Sequence, residues 1–159
     1  FMGEEWGTRT PFQFFTDHEE ADLARSVSEG RVREFADFGW SADDIPDPQA
    51  PSTVDASRLD WQEPGEAEHT RMLDWFARLI ALRRELGWSQ RRQWPRVEDS
   101  DGLITVLYDD VVIAVNLSGK EHPAPDHDEP LAQWEPGEPG GAAPHPGVLA
   151  AGQTLIARR

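Results

Sequence analysis

Between residues 66 and 87 the chain spells out one face of a helix. Met72, Trp75, Phe76, Leu79, Leu82 and Leu86 recur three or four positions apart, the helical period, and Leu73 and Ile80 widen the stripe. Pro64 and Gly65 precede it, Glu66 and Glu68 lie at its start, Arg83 and Arg84 at its end, and Gly87 follows. Acidic residues at the first turn, basic residues at the last and a terminal glycine all suit a helix macrodipole with defined ends. So broad an apolar face predicts a large covering surface.

After Gly87 the period changes. Residues 103–108 (LITVLY) and 111–117 (VVIAVNL) are β-rich and are separated by Asp109-Asp110, which predicts a hairpin. Residues 148–150 and 153–157 are expected to supply another pair. Residues 118–147 are polar and rich in Pro and Gly, so loops and edges are expected there. The last seventy or so residues read as a short antiparallel sheet or sandwich.

The first 65 residues are less regular. Phe1, Met2 and Gly3 read as the end of a buried strand. Short helices are expected at 19–30 and 31–38, within a long stretch that includes PFQFF (11–15), TDHEEADL (16–23) and IPDPQAP (45–51). A loop this long inside a domain points to function or to an absent partner surface. The chain opens on Phe1 rather than Met, and we read it as a piece of a longer protein.

Charge and composition exclude several classes. The formal net charge is −15, which repels nucleic-acid phosphates and anionic lipid. The chain has no cysteine, so disulfides and thiolate metal sites are absent and a reducing compartment fits. No apolar run is long enough for a membrane span. Seven Trp and seven Phe offer flat apolar faces for sugar rings, and equally for a core.

Glycoside hydrolysis uses two carboxyl groups flanking the scissile bond. Glu4 and Glu5 are adjacent, and on a strand they would face opposite ways, so together they cannot form that pair. One of them could bind or orient substrate at the end of a barrel strand. Asp17-His18 suits sugar hydroxyls, or else an Asx-type turn and helix N-cap. His69, His122, His127 and His145 show no metal-like spacing, and the acidic loop around His122 and His127 reads as solvated. No nucleophile motif, phosphate loop or dinucleotide fingerprint is present.

The run FMGEEWG (1–7) resembles the end of the eighth barrel strand in α-amylase-type glycoside hydrolases. TPFQFFTDH (10–18), SEGRVREFADFGW (28–40), IPDPQAPST (45–53) and SRLDW (57–61) narrow the resemblance to the trehalohydrolases that act on maltooligosyl trehalose, with branching enzymes the nearest relatives. LIALRREL (79–86) is similar to the last barrel helix of this group. About ninety residues carry the likeness well and the remainder loosely.

The resemblance implies an α/β barrel remnant, made of the end of strand eight, a long loop and the last barrel helix over residues 1–87. A small all-β antiparallel C-terminal domain would follow over 88–159. It implies a cytoplasmic glycosidase of trehalose biosynthesis that cleaves the α-1,4 bond next to a terminal trehalose unit. Its nucleophile, acid/base and transition-state stabiliser would lie upstream of Phe1, so none of the catalytic residues is expected in this chain. Glu4, Glu5, Trp6, Phe14, Phe15, Asp17 and His18 would then line or support the substrate cleft. No metal or cofactor is implied, and the expected partner is maltooligosyl trehalose or a related α-glucan. A branching-type glucanotransferase and a non-catalytic carbohydrate-binding β module are the competing readings.

Overall fold

The computed structural model describes residues 1–137 and 147–159; His145 lies outside them. The chain divides into two compact units, Phe1–Pro64 and Gly65–Arg159.

In the first unit no strand forms at Phe1–Gly3. Gly3 (φ 87°) and Gly7 (φ 66°) bracket a 3₁₀ turn at Glu4–Trp6 instead. Both backbones sit in the left-handed region, where glycine is favoured. A Cβ on Gly3 would come within 2.6 Å of Thr8 Cγ2 and 2.8 Å of Leu59 Cδ2. The two short helices expected at 19–38 are one helix, α1 (Ala21–Ala36). Gly30 weakens a helix without breaking it, at about 1 kcal/mol relative to Ala. Ion pairs Arg33–Glu29 (3.5 Å) and Arg31–Glu34 (3.0 Å) bridge turns around it. Helix α2 (Pro51–Ala56) starts with proline at its first position, where the missing N–H has no intrahelical partner to lose.

The second unit opens with α3 (Ala67–Glu85), the helix written in the apolar stripe. Its strands are β1 (Arg96–Ser100), β2 (Leu103–Leu107), β3 (Val111–Asn116), β4 (His122–Pro123), β5 (Pro130–Trp134), β6 (Val148–Leu149) and β7 (Thr154–Arg158). Five form an antiparallel sheet in the order β1-β2-β3-β7-β5, and β4 pairs with β6. The β2–β3 hairpin forms around Asp109-Asp110, with Leu107 opposite Val112. A hairpin not foreseen precedes it. Ser100 pairs with Leu103 across Asp101-Gly102, and both turn residues have positive φ (55° and 84°), the backbone a tight two-residue hairpin needs.

Residues 148–150 and 153–157 do not pair with each other. β6 joins β4, while β7 inserts between β3 and β5.

Alternation along the central strands splits the core into two layers. Val111 and Ile156 face Leu82 of α3, with Trp75, Leu79, Leu86 and Leu131 packed around them. Val112, Ala114, Leu155 and Ala157 turn the other way, onto Leu103 and Leu149. The sheet therefore covers much of the α3 stripe that the sequence left seeking a partner, and only Leu73 and Ile80 of that stripe stay exposed.

The edge strand β5 is fastened to α3 through arginines. Arg78 Nη2 donates to the Leu131 carbonyl at 3.0 Å. Arg71 donates to the Glu135 carbonyl at 2.9 Å and lies 4.4 Å over the Trp134 ring.

Candidate functional site

All seven residues singled out from sequence lie in the first unit, and they hang on different anchors. Successive residues of a 3₁₀ turn point about a third of a circle apart, so the opposed strand geometry expected for Glu4 and Glu5 does not apply. Glu4 is exposed, Glu5 is half-buried, and Trp6 is buried at 3% exposure. The turn closes on itself, since Thr8 N–H donates to the Gly3 carbonyl at 2.9 Å and Gly7 N–H to the Glu4 carbonyl at 3.0 Å.

A residue that sequence reasoning missed, Glu63, holds this turn in place. Its side chain is buried at 6% exposure. Oε2 accepts from Trp6 Nε1 at 3.1 Å and from Thr8 Oγ1 at 2.6 Å, and Oε1 accepts from Arg9 N–H at 3.2 Å. A carboxylate with several donors is the arrangement that makes burying it tolerable. Trp61 lies against Trp6, with ring centroids 5.3 Å apart.

The segment 11–18 has no regular secondary structure. Gln49 secures its far end by imitating a peptide group. Its Oε1 accepts from His18 N–H and its Nε2 donates to the His18 carbonyl, both at 3.3 Å, and Thr16 Oγ1 donates to Oε1 as well. Thr16 N–H donates to the Pro48 carbonyl at 2.9 Å. Asp17 is exposed and is not a helix cap, because α1 begins at Ala21 with Glu20 before it. Phe14 and Phe15 are exposed, and the Arg31 guanidinium sits 5.3 Å from the Phe14 ring.

Behind Gln49 the loop is tied to α1. Asp47 Oδ1 accepts from Ser28 Oγ at 2.6 Å and from Gln49 N–H at 3.0 Å. These bonds, the Ser28 hydroxyl foremost, hold the Asp47 carboxyl below its ordinary value. Asp44 is lowered in the same way, by the Ser41 hydroxyl and then the Ser41 N–H.

Among the described residues no group of three or more His, Asp or Glu side chains is placed to hold a metal ion. No helix among them is long and apolar enough to cross a membrane.

Curated relatives show what this chain is similar to. The chain is 54% identical over 86 residues to the malto-oligosyltrehalose trehalohydrolase of Arthrobacter ramosus, a match covering 54% of this chain and 15% of that protein. It is 37% identical over 148 residues to the enzyme of that name from Mycobacterium tuberculosis, covering 85% of this chain and 24% of the relative. The chain matches the C-terminal part of malto-oligosyltrehalose trehalohydrolases. It spans about a quarter or less of the length of these trehalohydrolases. No family model matches it. Among solved structures, a Salmonella typhimurium protein provisionally assigned as an α-amylase superposes with a TM-score of 0.80 at 32% identity, covering 99% of this chain and 27% of that one. The small antiparallel, sheet-rich domain is consistent with the C-terminal domain of α-amylase-type enzymes.

Proposed function

We propose that this chain serves as the C-terminal part of a glycoside hydrolase that releases trehalose from malto-oligosyl trehalose by cleaving the adjacent α-1,4 bond. The observation that carries this reading is the 54% identity over 86 residues to a trehalohydrolase. The acid and the nucleophile of such a reaction would come from the rest of the protein, and this chain would complete one side of the substrate cleft. In that role Glu4, Glu5, Trp6, Phe14, Phe15, Asp17 and His18 contact or support sugar rings. Residues 1–87 would close the catalytic barrel and 88–159 would form the β domain, with α3 (Ala67–Glu85) packed on that domain's sheet. A cytoplasmic setting suits a chain without cysteine.

A chimera tests the proposal. The matching C-terminal part of the Arthrobacter ramosus relative is replaced by this chain, and trehalose released from maltotriosyl trehalose is measured. Release by a folded chimera is the expected result. A folded chimera that releases none overturns the proposal.

A further inference from the structure

Asp17 lies between two residues whose main chain is pinned by the segment 47–49. Thr16 N–H donates to the Pro48 carbonyl at 2.9 Å, and Pro48 is itself fully buried. Gln49 takes His18 from both sides, accepting from its N–H at Oε1 and donating from Nε2 to its carbonyl, each at 3.3 Å. The Thr16 hydroxyl fills the second lone pair of Oε1. Gln49 is held in turn. Its N–H donates to Asp47 Oδ1 at 3.0 Å, and the Ser28 hydroxyl of α1 donates to the same oxygen at 2.6 Å. The Thr53 hydroxyl of α2 donates to the Asp47 carbonyl at 2.6 Å. A segment with no helix or strand of its own therefore takes its backbone geometry from two helices. Asp17 stays exposed between the tied residues, and His18 is half-buried.

We infer that Gln49 is a positioning residue, which holds the main chain that presents Asp17 and His18 to substrate hydroxyls and does not meet the sugar itself. The inference rests on the glycosidase reading above, in which Asp17 and His18 contact or support the sugar. A binding side chain is placed accurately only when its support is rigid, and residues 16–18 have no strand or helix ladder to supply that. A loose segment would give up main-chain freedom each time substrate bound. The clamp removes that cost at the folding stage. An amide suits the task because it carries an acceptor and a donor together. With two donors already on Oε1, that oxygen has no lone pair left for a sugar hydroxyl.

The chimera described above carries the test, with maltotriosyl trehalose as substrate. Gln49→Met keeps the length of the side chain and removes all three of its hydrogen bonds. Gln49→Glu keeps the acceptor and removes the donor. Circular dichroism checks the fold of each variant. Gln49→Met is expected to raise KM about tenfold with kcat within about twofold, because contacts made equally in ground and transition states act on KM. Gln49→Glu is expected to raise it less. Asp17→Ala with His18→Ala also raises KM, and in that background Gln49→Met adds no further rise, since a residue acting through those side chains has nothing left to place. A purely structural role would lower the melting temperature and leave KM alone, or add its full effect in either background. An unmoved KM, a loss confined to kcat, a background that matches the parent, or additive effects overturns the inference. If Gln49→Met does not fold, Gln49→Glu is read in the same two backgrounds. An active chimera indifferent to Gln49 removes this inference alone. An unsubstituted chimera that folds and releases no trehalose removes the trehalohydrolase reading, and this inference with it.

Discussion

The Trp6 indole donates its Nε1 proton to the buried carboxylate of Glu63, 57 positions along the chain. Glu63→Ala leaves that N–H, the Thr8 hydroxyl and the Arg9 N–H without this acceptor. The indole bond is the fully buried one, and losing a buried hydrogen-bond partner costs about 1–3 kcal/mol. We expect a clear loss of stability in the first unit and a red shift of tryptophan emission, with Glu63→Gln milder. A Glu63→Ala chain that melts like the parent would sink the assignment of Glu63 as the anchor.

Leu82 is fully buried between α3 and the sheet. Leu82→Ala is expected to destabilise the second unit by about 2–5 kcal/mol, read from urea unfolding. A loss below about 1 kcal/mol, the range of mild core changes, would show that the layer can collapse around the gap.

The Ser28 hydroxyl holds the Asp47 carboxyl below its ordinary value. A lowered folded-state value means that this bond adds stability above the unfolded value, about pH 3.9, and the contribution is lost as pH falls through the folded-state value. Ser28→Ala therefore lowers the urea midpoint at neutral pH, and the gap to the parent narrows in strong acid. A gap that stays constant at every pH would contradict the assignment.

Arg71 and Arg78 hold β5 at the sheet edge through its carbonyls and those just beyond it. The double substitution to alanine is expected to raise amide exchange at Ala132–Trp134 while β2 and β3 stay protected. Equal acceleration in all strands would instead mean that the arginines stabilise the whole sheet.

Hydrolysis of a glycosidic bond needs an acid and a nucleophile placed together, and the proposed role draws both from outside these 159 residues. The purified chain is therefore expected to release no trehalose from maltotriosyl trehalose. Turnover by the chain alone, after contaminating glycosidase is excluded, would refute the division of labour.

What could be read from sequence follows the distance over which each feature is decided. α3 was legible because its period and both end signals lie within 22 neighbouring positions (66–87). The β2–β3 hairpin was legible because strands buried on both faces leave unbroken apolar runs. β1 was missed because every residue of RVEDS is exposed, so no alternation marks it; Asp101-Gly102 was the available signal. The partner of β7 was misjudged because insertion between β3 and β5 is settled by the whole sheet. At the candidate site the Glu4–Trp6 turn depends on two left-handed glycines. Its anchor Glu63 and the anchor Gln49 act 57 and 31 positions away, beyond any local pattern.

Leu82, Trp75 and Leu79 are committed to Val111 and Ile156, and this dictates where the protein can be cut and spliced. A transplant of the strands that begins at Trp88 would bare the underside of the sheet and invite aggregation. A seam ahead of Ala67 moves helix and strands as one piece and keeps that layer dry.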